Sequence, residues 1–445
     1  MATRTEPARG MRDFLPEDVR RREHVIGIIT RVYERYGFEP LETPAVENLD
    51  TLMGKYGDEG NQLIFKILKR GDALKDVALA DAADLALRYD LTVPLARVIA
   101  HHQSKLPKLF KRYQIQPVWR ADRPGRGRFR EFYQCDVDAL GSTSPVIEAE
   151  ICGAVSEALT ELGFADFTIR MNHRQLLTSM LAWCGVPEPL HSTALVAVDK
   201  LDKIGPEGVE GEMQARGVDA QAAHAVLQEF ARLRDGGFDA AIPFDATGQD
   251  AFKNLGAIAS LAQNTPAANR IRFDPSLARG LSYYTGAIME INVPDLAGSL
   301  GGGGRYDNLV GMFLGQSVPA CGFSLGLERI LVVMGERNMF PPSLATTPAD
   351  VMVAVFDAKD TPHALRVAQM LRASGLRVMV YPDPDKIGKQ IKYADTQRIP
   401  FVAILGGDEI ANGTVTVKHL AAQTQAIYDQ AAAGAAILEG LTDRG

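Results

Sequence analysis

Cysteine is scarce in this chain, four in 445 residues, and none of Cys135, Cys152, Cys184 and Cys321 stands in a CxxC spacing or beside a histidine. That pattern disfavours a structural zinc site, and no metal-ligating set of side chains is expected. Reduced thiols point to a cytoplasmic setting. No apolar run reaches the roughly 18 to 20 residues of a membrane span, and the opening MATRTEPARG carries no signal-peptide apolar core, so no membrane partner is expected. Neither GxGxxG nor GxxxxGK followed by Ser or Thr occurs, so the two common nucleotide fingerprints are missing. Excess positive charge is missing too: the net charge is -7, which argues against nonspecific nucleic-acid affinity over the whole surface.

What the chain has is segregated charge. Lys108 to Arg130 holds Lys108, Lys111, Arg112, Arg120, Arg123, Arg126, Arg128 and Arg130 against one acid, Asp122. Within it, Trp119–Asp138 (WRADRPGRGRFREFYQCDVD) reads as strand, basic hairpin loop, strand. Arg123-Pro124-Gly125-Arg126-Gly127-Arg128 has turn residues, and Gln134, Asp136 and Asp138 alternate with Cys135 and Val137 at the strand period. A charged turn ordinarily faces water. The alternative is a site for a polyanion beside a small amine-bearing ligand, because Arg120 on one strand end meets Gln134 and Asp138 on the other.

With 46% hydrophobic and 23% charged residues, the composition is that of an ordinary folded protein, and the length predicts two to four domains. Residues 17 to 36 space Val25, Ile28, Ile29, Val32 and Tyr36 as an amphipathic helix, and the prolines at 40 and 44 then predict an edge strand or extended dimer contact. Residues 84 to 100 read as a strand ending near Thr92 and a helix with Pro94 in its first turn, placing Asp90 and Thr92 at a cleft. From about 169 to 265 the pattern is helical, and strand and strand–helix patterns return over Phe273–Val293 and Cys321–Met334. The first domain is therefore expected to be split by an insertion. Residues 341 to 349 read as a linker, and beyond it short strands at 350–356, 376–381 and 401–405 alternate with helices at 364–374 and 386–396, a compact α/β pattern.

Gly301 to Gly304 suits a tight turn beside a ligand better than a phosphate cradle. Gly322 to Ile330 reads as a strand entering a helix that carries Arg329, either an ordinary helix arginine or a ligand contact. Arg279-Gly280-Leu281-Ser282-Tyr283-Tyr284-Thr285-Gly286 puts a cation and two tyrosines at a strand mouth, where tyrosines more often pack than bind. Lys386, Lys389 and Lys392 recur at a spacing that presents one basic helical face, solvated or phosphate-bound.

Taken together these segments resemble the class II aminoacyl-tRNA synthetases, and within them the histidyl-tRNA synthetase family, over nearly the whole chain. WRADRPGRGRFREFYQCDVD is similar to the second class signature, GFSLGLERI to the third, and the Pro44 neighbourhood to the first, which forms dimers. RGLSYYTG and GGGGRYDNL resemble the two segments peculiar to the histidine family, and DVMVAVF through ILGGDEIANGTVTVK its anticodon-binding domain. The resemblance implies an α+β fold: an antiparallel-sheet catalytic domain in two parts (1–168 and 266–340), an inserted helical module (169–265), a linker (341–349) and a C-terminal α/β anticodon-binding domain (350–445).

It also implies a ligase that joins L-histidine to tRNA(His) through an adenylate, with ATP, Mg2+ brought by ATP, and a homodimer. Arg120 would hold the α-phosphate, Arg329 the γ-phosphate and Arg279 the α-phosphate from the other side, with Arg123 and Arg128 toward the outer phosphates or the tRNA end. Asp138 and Tyr284 would face the imidazole; Asp90, Thr92 and Gln134 the α-amino group, with Tyr306 lining the pocket. Lys386, Lys389 and Lys392 would meet the anticodon stem, and the insertion would touch tRNA. One departure is Ser282, where many members carry aspartate beside the catalytic arginine. The rivals are a silent paralogue that regulates histidine biosynthesis or senses uncharged tRNA, and a class II ligase for another amino acid.

Overall fold

The computed structural model describes residues 5–278, 283–344 and 347–442. The chain divides into two compact units, Met1–Phe340 and Pro341–Gly445. In chain order the strands of the first unit are β1 (Glu39–Pro40), β2 (Val46–Asn48), β3 (Lys66–Leu68), β4 (Ala83–Leu87), β5 (Phe110–Trp119), β6 (Glu131–Leu140), β7 (Thr168–His173), β8 (Ile271–Phe273), β9 (Ala287–Asn292), β10 (Gly301–Arg305) and β11 (Ala320–Gly326). Eight of them form one sheet in the order β1-β5-β6-β11-β10-β9-β7-β8, and β2-β4-β3 form a small second sheet. Pairing in the large sheet is antiparallel except at its two margins, where β1 lies parallel to β5 and β7 to β8.

The helix Pro16–Arg35 begins with proline at its first position and buries Val25, Ile28, Ile29, Val32 and Tyr33, one stripe at helical spacing. Tyr33 reaches the sheet and donates its hydroxyl proton to the Cys135 carbonyl at 3.3 Å. β1 is the edge strand that the two prolines predict, since proline cannot supply a ladder donor in a central strand. The helices Arg174–Trp183, His191–Val198, Leu201–Ala215, Ala220–Gly236 and Ala246–Ala262 fall in sequence between β7 and β8. Because β7 is paired with β9 in the large sheet, the helical run begins at Arg174, five residues later than the sequence pattern suggests.

Two local expectations fail. The glycine run is not a turn but β10, paired on both sides with β9 and β11. Crowding is the reason: a Cβ at Gly303 would overlap the Gly322 carbonyl oxygen and lie 2.6 Å from Phe323 Cα. The strand before Thr92 ends at Leu87, and Thr92 opens the helix Thr92–His102, because Asp90 leaves the ladder to accept a hydrogen bond from Val93 N at 3.0 Å.

The second unit is a five-stranded sheet of β12 (Val351–Val355), β13 (Val378–Val380), β14 (Phe401–Leu405), β15 (Thr414–His419) and β16 (Thr424–Asp429), ordered β13-β12-β14-β15-β16. Alternation along β12 sends Val351, Val353 and Val355 into one core with Val367 and Leu371, and Met352 and Ala354 into another with Ala394 and Ile399. The helices Thr361–Ala373 and Ile387–Thr396 match the sequence periodicity. Among the described residues no helix is long and apolar enough to cross a membrane.

The crowding at β10 has a measurable consequence. Gly303→Ala forces two strands apart and is expected to cost about 1 to 3 kcal/mol in urea unfolding; an unchanged midpoint would mean the strands yield freely.

Candidate active site

The site is built on the β5–β6 hairpin. Its ladder sets Arg112 opposite Asp138, Gln114 opposite Asp136, and Gln116 opposite Gln134. Period-two alternation puts Gln134, Asp136 and Asp138 on one face. On the other side β11 sets Ser324 opposite Asp136 and Gly322 opposite Asp138. A Cβ at Gly322 would overlap the Asp138 carboxylate, so glycine gives that side chain its place.

Arg112 is wholly buried, with Nη2 2.8 Å from Asp138 Oδ2 and 4.0 Å from Asp136 Oδ2. It also donates to Gln114 Oε1 at 3.0 Å and to the Leu91 carbonyl at 3.3 Å. Asp138 Oδ1 accepts a hydrogen bond from the Tyr306 hydroxyl. Burial pushes Asp136 and Asp138 above the usual carboxylate range; Arg112 opposes both shifts, and Asp138 adds to that of Asp136.

A cavity of about 460 Å³ is lined by Asp90, Thr92, Gln134, Asp138, Tyr284 and Tyr306 together with Arg120, Arg128 and Arg329. The Asp90 Oδ1 atom accepts from the Tyr56 hydroxyl at 3.0 Å, and burial raises the Asp90 pKa. Its Oδ2 and Gln134 Oε1 are buried with no hydrogen-bond partner among the described residues. The Gln134 amide is oriented by donating to Ser324 Oγ at 2.7 Å. Buried acceptors of this kind are costly unless a donor meets them, so this part of the cavity suits an ammonium group.

The cations are arranged differently. Arg120 donates Nε to the Tyr89 carbonyl at 3.0 Å, and its guanidinium sits 4.3 Å from the Tyr89 ring centroid and 5.2 Å from that of Phe132. Arg329 donates to the Ser299 carbonyl. Arg128 is held in two bonds by Asp122, at 3.1 and 2.9 Å. Arg126 is bound to Glu336 and the Asp295 carbonyl, which pins the loop. Arg123 is exposed and does not line the cavity. Arg279 and Ser282 lie outside the described residues. Lys386, Lys389 and Lys392 belong to the second unit and are exposed along the helix Ile387–Thr396 and its N-cap, with Lys389 2.7 Å from Asp385. No group of three His, Cys, Asp or Glu placed to hold a metal occurs among the described residues.

Sequence reasoning gave no role to several groups found here. Asp136 was visible on the face of Gln134 and Asp138, and hairpin symmetry about the turn would have led to Arg112. Glu328 gave no signal: it is 2% exposed, lines the cavity, accepts from Tyr133 N at 2.9 Å and has its pKa raised by burial to about 7.

An antiparallel sheet that presents buried hydrogen-bond acceptors and clustered arginines to one cavity is the catalytic domain of a class II aminoacyl-tRNA synthetase. The profile of the histidyl-tRNA synthetases matches residues 10–330, and that of an anticodon binding domain residues 350–438. The chain belongs to the histidyl-tRNA synthetase family. A histidine–tRNA ligase of Christiangramia forsetii is 41% identical over 450 residues, covering 96% of this chain and 98% of that protein. One of Leifsonia xyli subsp. xyli is 42% identical over 408 residues, covering 88% and 92%. The crystal structure of histidyl-tRNA synthetase from Nostoc sp. PCC 7120 superposes with a TM-score of 0.76 at 30% identity, covering 98% of this chain and all of that one.

Glu328 also sets a pH dependence of stability. Its folded-state pKa of about 7 exceeds the ordinary 4.5, so the folded state holds the proton more tightly and stability falls as pH rises between those values. Glu328→Gln should remove about 2 to 3 kcal/mol of the stability difference between pH 5 and pH 8 in urea titrations. An unaltered difference would show that Glu328 ionises without cost.

Proposed function

We propose that the chain is a histidine–tRNA ligase. The histidine carboxylate attacks the α-phosphorus of ATP, pyrophosphate leaves, and the histidyl group of the adenylate then passes to the terminal ribose of tRNA(His). The observation that carries this reading is the pair of buried acceptors, Asp90 Oδ2 and Gln134 Oε1, that have no hydrogen-bond partner among the described residues, in the cavity that also holds Asp138, Arg120 and Arg329.

Such a reaction needs positioning and positive charge and no protein nucleophile. In this reading Asp90, Thr92 and Gln134 hold the α-amino group. Asp138 accepts from one imidazole nitrogen, with Tyr306 and Tyr284 completing the pocket. A pocket that hydrogen-bonds its substrate rejects analogues lacking those groups by about 10⁴ to 10⁵, so no editing domain is needed. Arg120 and Arg279 take the α-phosphate, Arg329 the γ-phosphate, and Arg128 and Arg123 the outer phosphates or the acceptor end. Mg2+ arriving with ATP would screen phosphate charge, and Glu290 is a hard oxygen donor lining the same cavity. The helices of 174–262 would touch tRNA, and Lys386, Lys389 and Lys392 the anticodon stem, a contact that weakens as salt rises. The family resemblance supports a cytoplasmic homodimer joined near residues 37–44.

Histidine-dependent exchange of pyrophosphate into ATP tests the reading. Exchange with histidine and no other amino acid is expected. Exchange only with another amino acid would refute the substrate, and none at all would favour a silent regulator. Arg120→Ala should lower the exchange rate by about 10² to 10³, and Asp138→Asn should raise the KM for histidine while leaving that for ATP near its parent value.

A further inference from the structure

Arg12 precedes the first helix, and no step above uses it. Its guanidinium carbon lies 3.3 Å from the ring centroid of Phe129 and 4.8 Å from that of Phe14. Its Nη2 is 3.7 Å from Glu328 Oε1, an oxygen with no hydrogen bond of its own among the described residues. Phe129 and Glu328 both line the cavity, the first from the basic loop and the second from the helix Leu327–Glu336. One cation thus touches two walls of the site from behind.

The segment around it is fitted to the same loop. Gly10 accepts a hydrogen bond from Arg130 N at 2.8 Å, and at φ +83 an added Cβ would come within 2.8 to 2.9 Å of Arg130 and Pro124. The Glu328 Oε2 atom is meanwhile held by Tyr133 N at 2.9 Å on β6. The charged and titratable groups around Glu328 are Arg12 from the leading segment, Arg22 from the helix Pro16–Arg35, and Cys135 on β6, while Asp18 faces Arg12.

We propose that Arg12 is a positioning residue for ATP, a clamp that joins Phe129 of the basic loop to the ionised Glu328 carboxylate and so fixes two walls of the nucleotide site. The proposal rests on the reading of the cavity as an ATP site. Cation–π contact orders the ring, and the carboxylate orders the cation. Protonation of Glu328, whose pKa burial lifts to about 7, releases the clamp.

The test is calorimetric titration of ATP into the full chain at pH 6, 7 and 8, with histidine titrated separately. Arg12→Ala and Glu328→Gln should each weaken ATP about tenfold at pH 8, the double variant no further, and histidine should stay within about twofold. The parent should lose ATP affinity more steeply than either variant on going from pH 8 to pH 6. Arg12→Lys, which keeps the charge but not the planar stack, should retain the parent's pH dependence with weaker binding. Parent-like ATP affinity in Arg12→Ala, or equal weakening of ATP and histidine with the parent's pH slope, would overturn the proposal. A parent chain that binds ATP but shows no histidine-dependent exchange would defeat the ligase reading and leave these titrations to decide the role of Arg12.

Discussion

The site depends on one buried ion pair, Arg112 with Asp138. Both groups are buried, so each depends on the other to offset the cost of its charge. Arg112 also holds Gln114 and the Leu91 carbonyl, which ties the hairpin to the turn that carries Asp90 and Thr92. Removing one partner of such a pair leaves an uncompensated buried charge, at a cost of about 3 to 5 kcal/mol. The ladder register fixes which residues meet: a slip of one residue would turn Gln134, Asp136 and Asp138 to the opposite face.

Around that pair the fold keeps polar groups where a generic core would have apolar ones. Asp90, Gln134, Asp136, Asp138 and Glu328 are all buried, and burial lifts the pKa of each of the four carboxyls among them. Free energy spent on desolvation here is recovered only when donors arrive, so affinity and specificity for a hydrogen-bonding substrate come from the same groups. The glycines at 303 and 322 serve that end sterically, one letting strands close up and the other making room for a carboxylate.

Much of this was legible in the sequence where the signal is local. The helix over residues 16 to 35, the basic hairpin and the alternation of the C-terminal unit follow from periodicity and turn chemistry. Asp90, Thr92, Gln134, Asp138, Tyr284, Tyr306, Arg120, Arg128 and Arg329 do share a cavity. The glycine run misled because its crowding comes from β9 and β11, which no local pattern reveals. Glu328 and Arg12 were silent for a related reason: their partners lie 195 and 117 to 316 positions away, in Tyr133, Phe129 and Glu328.

Whether one buried pair organises the proposed histidine pocket is tested most directly by a double-mutant cycle. Histidine affinity would be measured by calorimetry for the parent, Arg112→Met, Asp138→Asn and the double variant, with circular dichroism to check the fold. A coupling of about 2 kcal/mol or more is predicted, the double variant losing little beyond the worse single one. Additive losses would mean that Arg112 and Asp138 act independently, and the account of the site would then be wrong at its base.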